Sequence, residues 1–558
     1  MNRKDILSSL ESHSPAVLIV GAGINGAGTF RDLALNGVDV LLIDRADFCS
    51  GASAASSHMA HGGIRYLENG EFRLVREAVQ ERNRLIENAP HLVRPLPTTI
   101  PIFKVFSGLL NAPLKFLGWL EKPAERGALV IKIGLMLYDA YTRGQGTVPP
   151  HVFDDRAKAL EKFRYLNPGI CFAATYYDGS ILSPERLTIE LILDGEAEGD
   201  HARALNYVSL VGVKGDTATL RDEPTGSTFD LQPKLIVNAA GPWIDVANRT
   251  LGLQTRYIGG TKGSHVILDH PELRAAIGKN EFFFENKDGR IVLIFPLMDK
   301  VLIGTSDIPI ENPDEARCTE DEVDYFLEMI ARVFPSIKVN RSHIVFRFSG
   351  VRPLAYTQAR NAGQITRDHH IQEDVLGDIP VYSLVGGKWT SYRAFSEQVT
   401  DKVLSYLGLA RKAGTQNLPI GGGKDYPWTG YIQLQFFNRV HELTGLPDRW
   451  PKILFDRYGT RAQEIAAFMA ADYDAALKHK PDMTRREIAF LTQHEKIVHL
   501  DDLLLRRSML AFLGELTRPL VGELAEYTGE TLGWAKAQKK AEMTRALDIL
   551  ADRHGVRL

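Results

Sequence analysis

At 558 residues the chain exceeds the size at which a single hydrophobic core keeps growing, so at least two domains are expected. Hydrophobic residues at 44% and charged residues at 24% exclude a disordered or collagen-like chain. A net charge of −3 supplies no global field for nucleic acid, so any anion site must be local and no nucleic-acid partner is expected.

The cysteines are Cys49, Cys171 and Cys318, with neither CxxC spacing nor a paired pattern, which fits a reducing, intracellular setting. The N-terminal run MNRKDILSSLESHSPA has acidic residues and lacks the apolar centre of a signal peptide, and no uninterrupted apolar run reaches about 18 residues. The expectation is a chain that is neither secreted nor membrane-spanning. No cluster of His, Cys and carboxylates has metal-ligand spacing, so no metal is expected.

In chain order, the apolar run Val17 to Val20 leads into a glycine loop, a helix spaced through Leu33 and Leu35, Gly37, and a second apolar run, Val38 to Ile43. This reads as strand, helix, strand. In the loop GAGINGAG, Gly21 permits the tight turn, Gly23 lets backbone approach a pyrophosphate, and Gly26 lets the helix pack closely on the sheet. The first turn of the helix then offers unpaired N–H groups and a positive dipole end to the phosphates. Asp44, at the end of the second strand, is the expected partner of a ribose hydroxyl. The fingerprint recognises an ADP half and does not by itself separate FAD from NAD.

Glu71 to Asn88 has a helical pattern, and Pro90, Pro95, Pro97 and Pro101 then predict a loop or boundary. Between Pro101 and Tyr141, Phe, Trp and Leu alternate with Lys104, Lys115, Lys122 and Lys132, either as an interfacial membrane anchor or as ordinary packed helices. Strand-like runs return at LIVNAAG, SHVIL, RIVLIFPL, KVLIGTSD and VYSLVGG, so the middle of the chain is mixed α and β. After about Gly408 the segments turn long and helical, giving an expected division into a mixed α and β region, 1–408, and a C-terminal helical domain, 409–558.

The run SSHMAHGGIRYLENGEFRLVREAVQER at Ser56 to Arg82 resembles the FAD-dependent, quinone-linked glycerol-3-phosphate dehydrogenase family. So do NAAGPW at Asn238, KGSHVIL at Lys262, GTSD at Gly304, SGVRPL at Ser349, ITRD at Ile365, GGKWTSYR at Gly386 and HLDDLLLRR at His499. These motifs occur in the family's order, and the resemblance runs from about residue 15 to the C-terminus. It implies an α/β fold, with a Rossmann-type FAD-binding domain, a mixed-sheet substrate domain and a C-terminal α-helical domain, and so makes 1–408 an FAD-dependent oxidoreductase region and 409–558 a helical cap domain. It further implies tightly bound FAD, oxidation of sn-glycerol 3-phosphate to dihydroxyacetone phosphate, and electrons passed to a membrane quinone. An anchor near 101–140 would then rest on the inner face of the cytoplasmic membrane, making the protein cytoplasmic and peripherally attached; homodimerisation is left open. Three positions depart from the family pattern: His58 for Lys, Ala240 for Thr, and Ser391 for Thr. They bear on substrate identity more than on fold.

The expected cofactor residues are Gly21, Gly23, Ile24, Asn25, Gly26 and Asp44, joined in the family motifs by Ser56, Ser57, His61, Gly62, Gly63, Gly241, Lys388, Trp389 and Thr390. The resemblance places Arg65 and Arg352 at the substrate, where a forked guanidinium suits phosphate or a developing oxyanion in a way that Lys does not copy. Lys388, behind two glycines, is expected against flavin or phosphate, and Tyr66 is a further substrate contact. His265 is the first candidate to take the hydroxyl proton and to touch substrate, and His61 is the second, because imidazole titrates near working pH. Other flavin enzymes of similar fold acting on amines or amino acids, an oxidase that uses oxygen, an NAD dehydrogenase, and a non-catalytic nucleotide-binding protein remain the competing readings.

Overall fold

The computed structural model describes residues 3–63, 71–105, 127–142, 147–285, 291–356 and 368–558. Arg65, Tyr66, the stretch from 106 to 126 and Ile365 to Arg367 lie outside the described residues.

The strand Val17–Val20 sits in the middle of a largely parallel sheet, which is why it reads as an unbroken apolar run. Val40–Ile43 pairs with it on one side and Leu235–Asn238 on the other, Val17 lying opposite both Val40 and Leu235. The sheet continues to Ala202–Leu205 beyond Val40–Ile43, and to Ile379–Val385 and the antiparallel His370–Leu376 beyond Leu235–Asn238. Gly21, Asp44 and Ala239 therefore emerge together from the carboxyl ends of three adjacent parallel strands, where open α/β sheets bind ligands. Helix Ile24–Leu35 covers this sheet and is itself packed by Pro184–Glu196 and Tyr392–Leu407.

A second, mixed sheet is built around Thr261–Leu268, Lys300–Gly304, Ile291–Leu297 and Glu281–Glu285, and is extended by Val93–Ile102 and Phe172–Ile181. Strand periodicity divides its side chains between two cores. Val266, Leu268, Val292, Ile294, Val301 and Ile303 face the helices Pro271–Ile277 and Glu320–Val333. Ile267, Leu293, Phe295, Leu302, Phe346 and Phe348 face the C-terminal helices instead. Those helices are capped as their sequence demands: Thr429, Thr484 and Thr517 each accept an amide of the first turn, and Gly445, Gly533 and Gly555 close C-termini with positive φ. The whole is an α/β fold with a Rossmann-type unit, mixed sheets and a C-terminal helical domain.

The expectation of a loop around Pro95 to Pro101 is corrected. Val93–Ile102 is a ten-residue strand, antiparallel to Phe172–Ile181 along its whole length. Leu182 donates its amide to the Leu92 carbonyl, so even-numbered residues bond this neighbour and Pro95, Pro97 and Pro101 turn their nitrogens the other way. On that side the pairing is confined to Thr98 and Thr99 against Glu281 and Phe282, so no donor is missed.

The apolar stretch before Tyr141 contains the helix Ala128–Thr142. Ile131, Leu135 and Tyr138 are buried, whereas Leu129, Ile133, Met136 and Leu137 are exposed. No helix among the described residues is long and apolar enough to cross a membrane.

Phe346 joins the sheet to the C-terminal helices, its ring 4.6 Å from that of Phe512 and 4.3 Å from that of His554. Phe346→Ala is expected to cost about 3–5 kcal/mol, the usual penalty for emptying an aromatic core position. Urea unfolding should show it, and a loss below about 1 kcal/mol would mean that this contact does not bind the two units.

Candidate active site

The glycine loop works through close backbone contact. A Cβ on Gly26 would lie 1.9 Å from the Gly21 carbonyl oxygen, and one on Gly21, at φ +104°, would lie 2.7 Å from that of Ala239. The helix can therefore sit directly on the strand, and it opens at Gly23 without a side-chain cap. The segment after Asp44 wraps this loop: the Ala22 amide donates to Asp44 Oδ2 at 2.8 Å, the Cys49 amide to the Ala22 carbonyl at 3.0 Å, and the Ile24 amide to Ser53 Oγ at 2.9 Å. Burial pushes the Asp44 carboxyl up to about 6 against the pull of the Ala46 and Ala22 amides.

Two further loops close on it. Gly386 and Gly387 take φ of +82° and +94°, and a Cβ on Gly387 would strike Asn25, whose Nδ2 donates to the Gly386 carbonyl at 3.3 Å. Trp389 Nε1 donates to the Ser53 carbonyl at 3.0 Å, and Thr390 Oγ1 accepts the His61 amide at 3.0 Å. Lys388 places its charge near Glu77 and His369. Ser56 Oγ accepts the His58 amide at 3.3 Å, and the position a Cβ would take on Gly241, φ +57°, is open.

Arg352 ends the strand Ile344–Arg352, opposite Thr261. Its guanidinium lies where a side chain on Gly263 would be, since a Cβ there would come 2.4 Å from Nη2. Nη2 donates to Thr305 Oγ1 and to the Ser306 carbonyl, both at 3.0 Å, and Nη1 pairs with Asp307 at 3.2 Å. Ser306 is fixed in turn: its Oγ accepts the Ser264 amide at 2.9 Å and donates to Glu322, which also holds Lys262 at 2.8 Å. Three motifs well separated in the chain thus converge on one guanidinium.

His265 lies on the same strand face as Thr261 and Gly263. Its Nε2 is 2.8 Å from Ser57 Oγ, and its ring stacks on Phe348 at 4.8 Å. Among the described residues, the buried His265 Nδ1 and Thr261 Oγ1 have no hydrogen-bond partner, so this face carries polar capacity that the protein leaves unused. Burial, then the charges of Arg352 and His58, hold the imidazole well below its usual range and keep it neutral.

A buried network that the motif reading did not single out sets the His61–Gly63 turn. Asp178 Oδ1 accepts the Gly62 amide at 2.9 Å and the Tyr138 hydroxyl at 2.7 Å, and Arg82 Nη1 donates to that hydroxyl at 2.6 Å. A Cβ on Gly62 would collide with the same hydroxyl at 2.0 Å. Arg82 closes the longest motif, but nothing local in the sequence links it to Asp178.

The chain matches the FAD dependent oxidoreductase family over residues 16–381 and the C-terminal domain of alpha-glycerophosphate oxidase over 413–539. It is 33% identical to a glycerol-3-phosphate dehydrogenase of Synechocystis, over 94% of both chains. It is 30% identical to one of Pseudomonas aeruginosa, over 90% of this chain and 94% of the relative. The fold superposes on a glycerol-3-phosphate dehydrogenase from Bacillus halodurans complexed with FAD, with a TM-score of 0.75 at 21% identity over 98% and 97% of the two chains.

The buried histidines give the fold a definite pH response. His58, whose Nδ1 contacts the Ile181 carbonyl, is brought down to about 4 by burial. Its folded value is below that of the unfolded chain, near 6.5, so the stability it carries is present above about 6.5 and is lost as pH falls. His58→Asn suits the left-handed backbone at φ +55°. It should reduce the fall in unfolding free energy between pH 7 and pH 5 by about 2 kcal/mol. Urea titrations at the two pH values check this; an identical fall in variant and parent would contradict it.

Proposed function

The chain belongs to the FAD-dependent glycerol-3-phosphate dehydrogenase/oxidase family, and from that premise we propose that it oxidises sn-glycerol 3-phosphate to dihydroxyacetone phosphate and passes the electrons to a membrane quinone. The observation that carries this reading is the Arg352 guanidinium, fixed by the 304–307 turn over a glycine, beside a buried neutral imidazole.

FAD is the cofactor, and the residues present fit it. The uncapped helix start and the contacts at Gly21 and Gly26 form a cradle that side chains would fill, and Asp44 retains acceptor capacity beyond its two amide bonds. Gly21, Gly23, Ile24, Asn25 and Gly26 would hold the pyrophosphate and Asp44 the ribose. Ser56, Ser57, His61, Gly62, Gly63, Gly241, Lys388, Trp389 and Thr390 would line the flavin. The chemistry bound FAD supplies is two-electron oxidation of the alcohol carbon.

The chain's own residues do the rest. Arg352 attracts and orients the anionic end of the substrate by its charge, and Arg65 and Tyr66 are further substrate contacts. His265, neutral and beside Arg352, is the first candidate to take the hydroxyl proton, and His61 is the alternative base. Lys388 supplies positive charge near the reduced ring. Quinone use is supported by the helix Ala128–Thr142, whose exposed Leu129, Ile133, Met136 and Leu137 would lie in the acyl boundary of the cytoplasmic leaflet.

The test is anaerobic addition of sn-glycerol 3-phosphate to the purified yellow protein, which should bleach the flavin absorbance. A spectrum that stays oxidised would reassign the substrate to another alcohol or an amine. Arg352→Lys should lower kcat/KM by about a hundredfold, because an ammonium point charge cannot copy the planar guanidinium that the 304–307 turn orients. Peroxide yield equal to substrate consumed in air would replace quinone with oxygen as acceptor. Ile133→Asp with Met136→Asp should release the protein from anionic lipid vesicles in a flotation assay while leaving dye-linked turnover intact; unchanged flotation would remove this helix from the membrane contact.

A further inference from the structure

The contact between the C-terminal helices and the nucleotide unit is centred on a buried carboxylate close to the ribose acid. Asp47 lies three residues after Asp44 and is fully buried. Its Oδ2 accepts from Arg507 Nη1 at 2.7 Å and from Arg506 Nε, and its Oδ1 accepts from Arg507 Nη2 at 2.9 Å and from Asn206 Nδ2 at 2.8 Å. Arg507 thus grips Asp47 with both forks, while its Nε donates to the Glu495 carbonyl at 2.9 Å. Arg506 also holds Asp502 at 2.8 Å and Asp501 at 3.1 Å. Burial alone would raise the Asp47 carboxyl, but the Arg507 and Arg506 guanidiniums overcome it and hold the group well below the usual carboxylate range.

What this grip immobilises is the turn from Asp44 to Asp47. The Asp44 amide donates to the Leu205 carbonyl at 3.1 Å, the Val208 amide to the Asp44 carbonyl at 2.8 Å, and the Tyr207 amide to the Ala46 carbonyl at 3.0 Å. The Ala46 amide fixes Asp44 Oδ1 at 3.0 Å, leaving Oδ2 to receive the Ala22 amide of the glycine loop. Tyr207, next in this ladder, donates its hydroxyl to Asp502 at 2.6 Å, so the C-terminal unit holds the turn from both strands.

We propose that Arg506 and Arg507 are positioning residues for the cofactor. By holding Asp47 they fix the turn that presents the Asp44 carboxylate and anchors the glycine loop, so the C-terminal helices act as a latch on the adenosine half of FAD. A latch differs from simple adhesion between units in which half of the cofactor it serves. Adhesion supports the whole fold, whereas the latch discriminates FAD from FMN, which lacks the adenosine half.

The experiment is titration of the full-length apoprotein with FAD and, separately, with FMN, following flavin fluorescence. Arg507→Lys keeps the charge but cannot form the double fork. It should weaken FAD about tenfold, a typical coupling between linked sites, while leaving the weaker FMN affinity unchanged. In an Asp44→Ala background the same substitution should change FAD affinity less than about twofold, because the group it acts through is gone. Equal loss for FAD and FMN, or an undiminished effect in the Asp44→Ala background, would overturn the proposal. Should Arg507→Lys fail to fold, amide exchange on the unmodified protein decides, since coupling is reciprocal. FAD should slow exchange at residues 503–507, and equal rates with and without FAD would overturn the latch.

Discussion

Everything in the nucleotide unit depends on one backbone contact, the seat of helix Ile24–Leu35 on the turn that ends strand Val17–Val20. No Cβ fits at Gly26, because the Gly21 carbonyl oxygen already occupies its place at 1.9 Å. With the helix so close, its first amides stand at the carboxyl edge of the sheet and not above one of its faces. The segment from Asp44 to Ser53 can then reach across and bond Ala22 and Ile24, and the Gly386–Gly387 turn can approach Asn25. A single added methyl group at position 26 would displace the helix and with it each of these contacts.

Much of this was legible in the sequence because it is local. The glycines of the phosphate loop and the apolar strand runs each declare themselves within a few residues. The proline-rich strand was misread for the opposite reason: its legitimacy rests on which edge the proline nitrogens face, and that is set by Phe172–Ile181, some eighty residues away. The Asp47–Arg507 contact spans 460 positions, and its only trace in the sequence is the motif HLDDLLLRR near the C-terminus. His265 is readable as a histidine near a strand; its neutrality comes from burial and then from the charge of Arg352, and the strand that carries Arg352 is distant in sequence.

Adhesion between the two large units divides between an apolar and an ionic part with different consequences. The shared core around Phe346, Phe348 and Phe512 supplies the free energy, since burial of aromatic surface is favourable in almost any orientation. The ionic part around Asp47 contributes little net stability after desolvation, yet it accepts very few geometries, and breaking one side strands a buried charge. The ionic part therefore governs orientation, and it sits where the C-terminal unit meets the turn from Asp44 to Asp47.

The arginines separate by role, which their number in the sequence conceals. Arg507 and Arg82 have no exposed side-chain surface and end on buried acceptors, so their charge is consumed within the protein. Arg352 retains 27% of its side-chain surface, and its carboxylate partner, Asp307, is exposed to the same degree. Solvent screens a half-buried pair of this kind in part, so the net gain from Asp307 is modest and its clearest effect is on the direction of the guanidinium. Thr305 and Ser306 also orient the group, each through a neutral oxygen. Arg507 and Arg82 thus act within the protein, whereas Arg352 keeps part of its surface on the strand face cleared by Gly263.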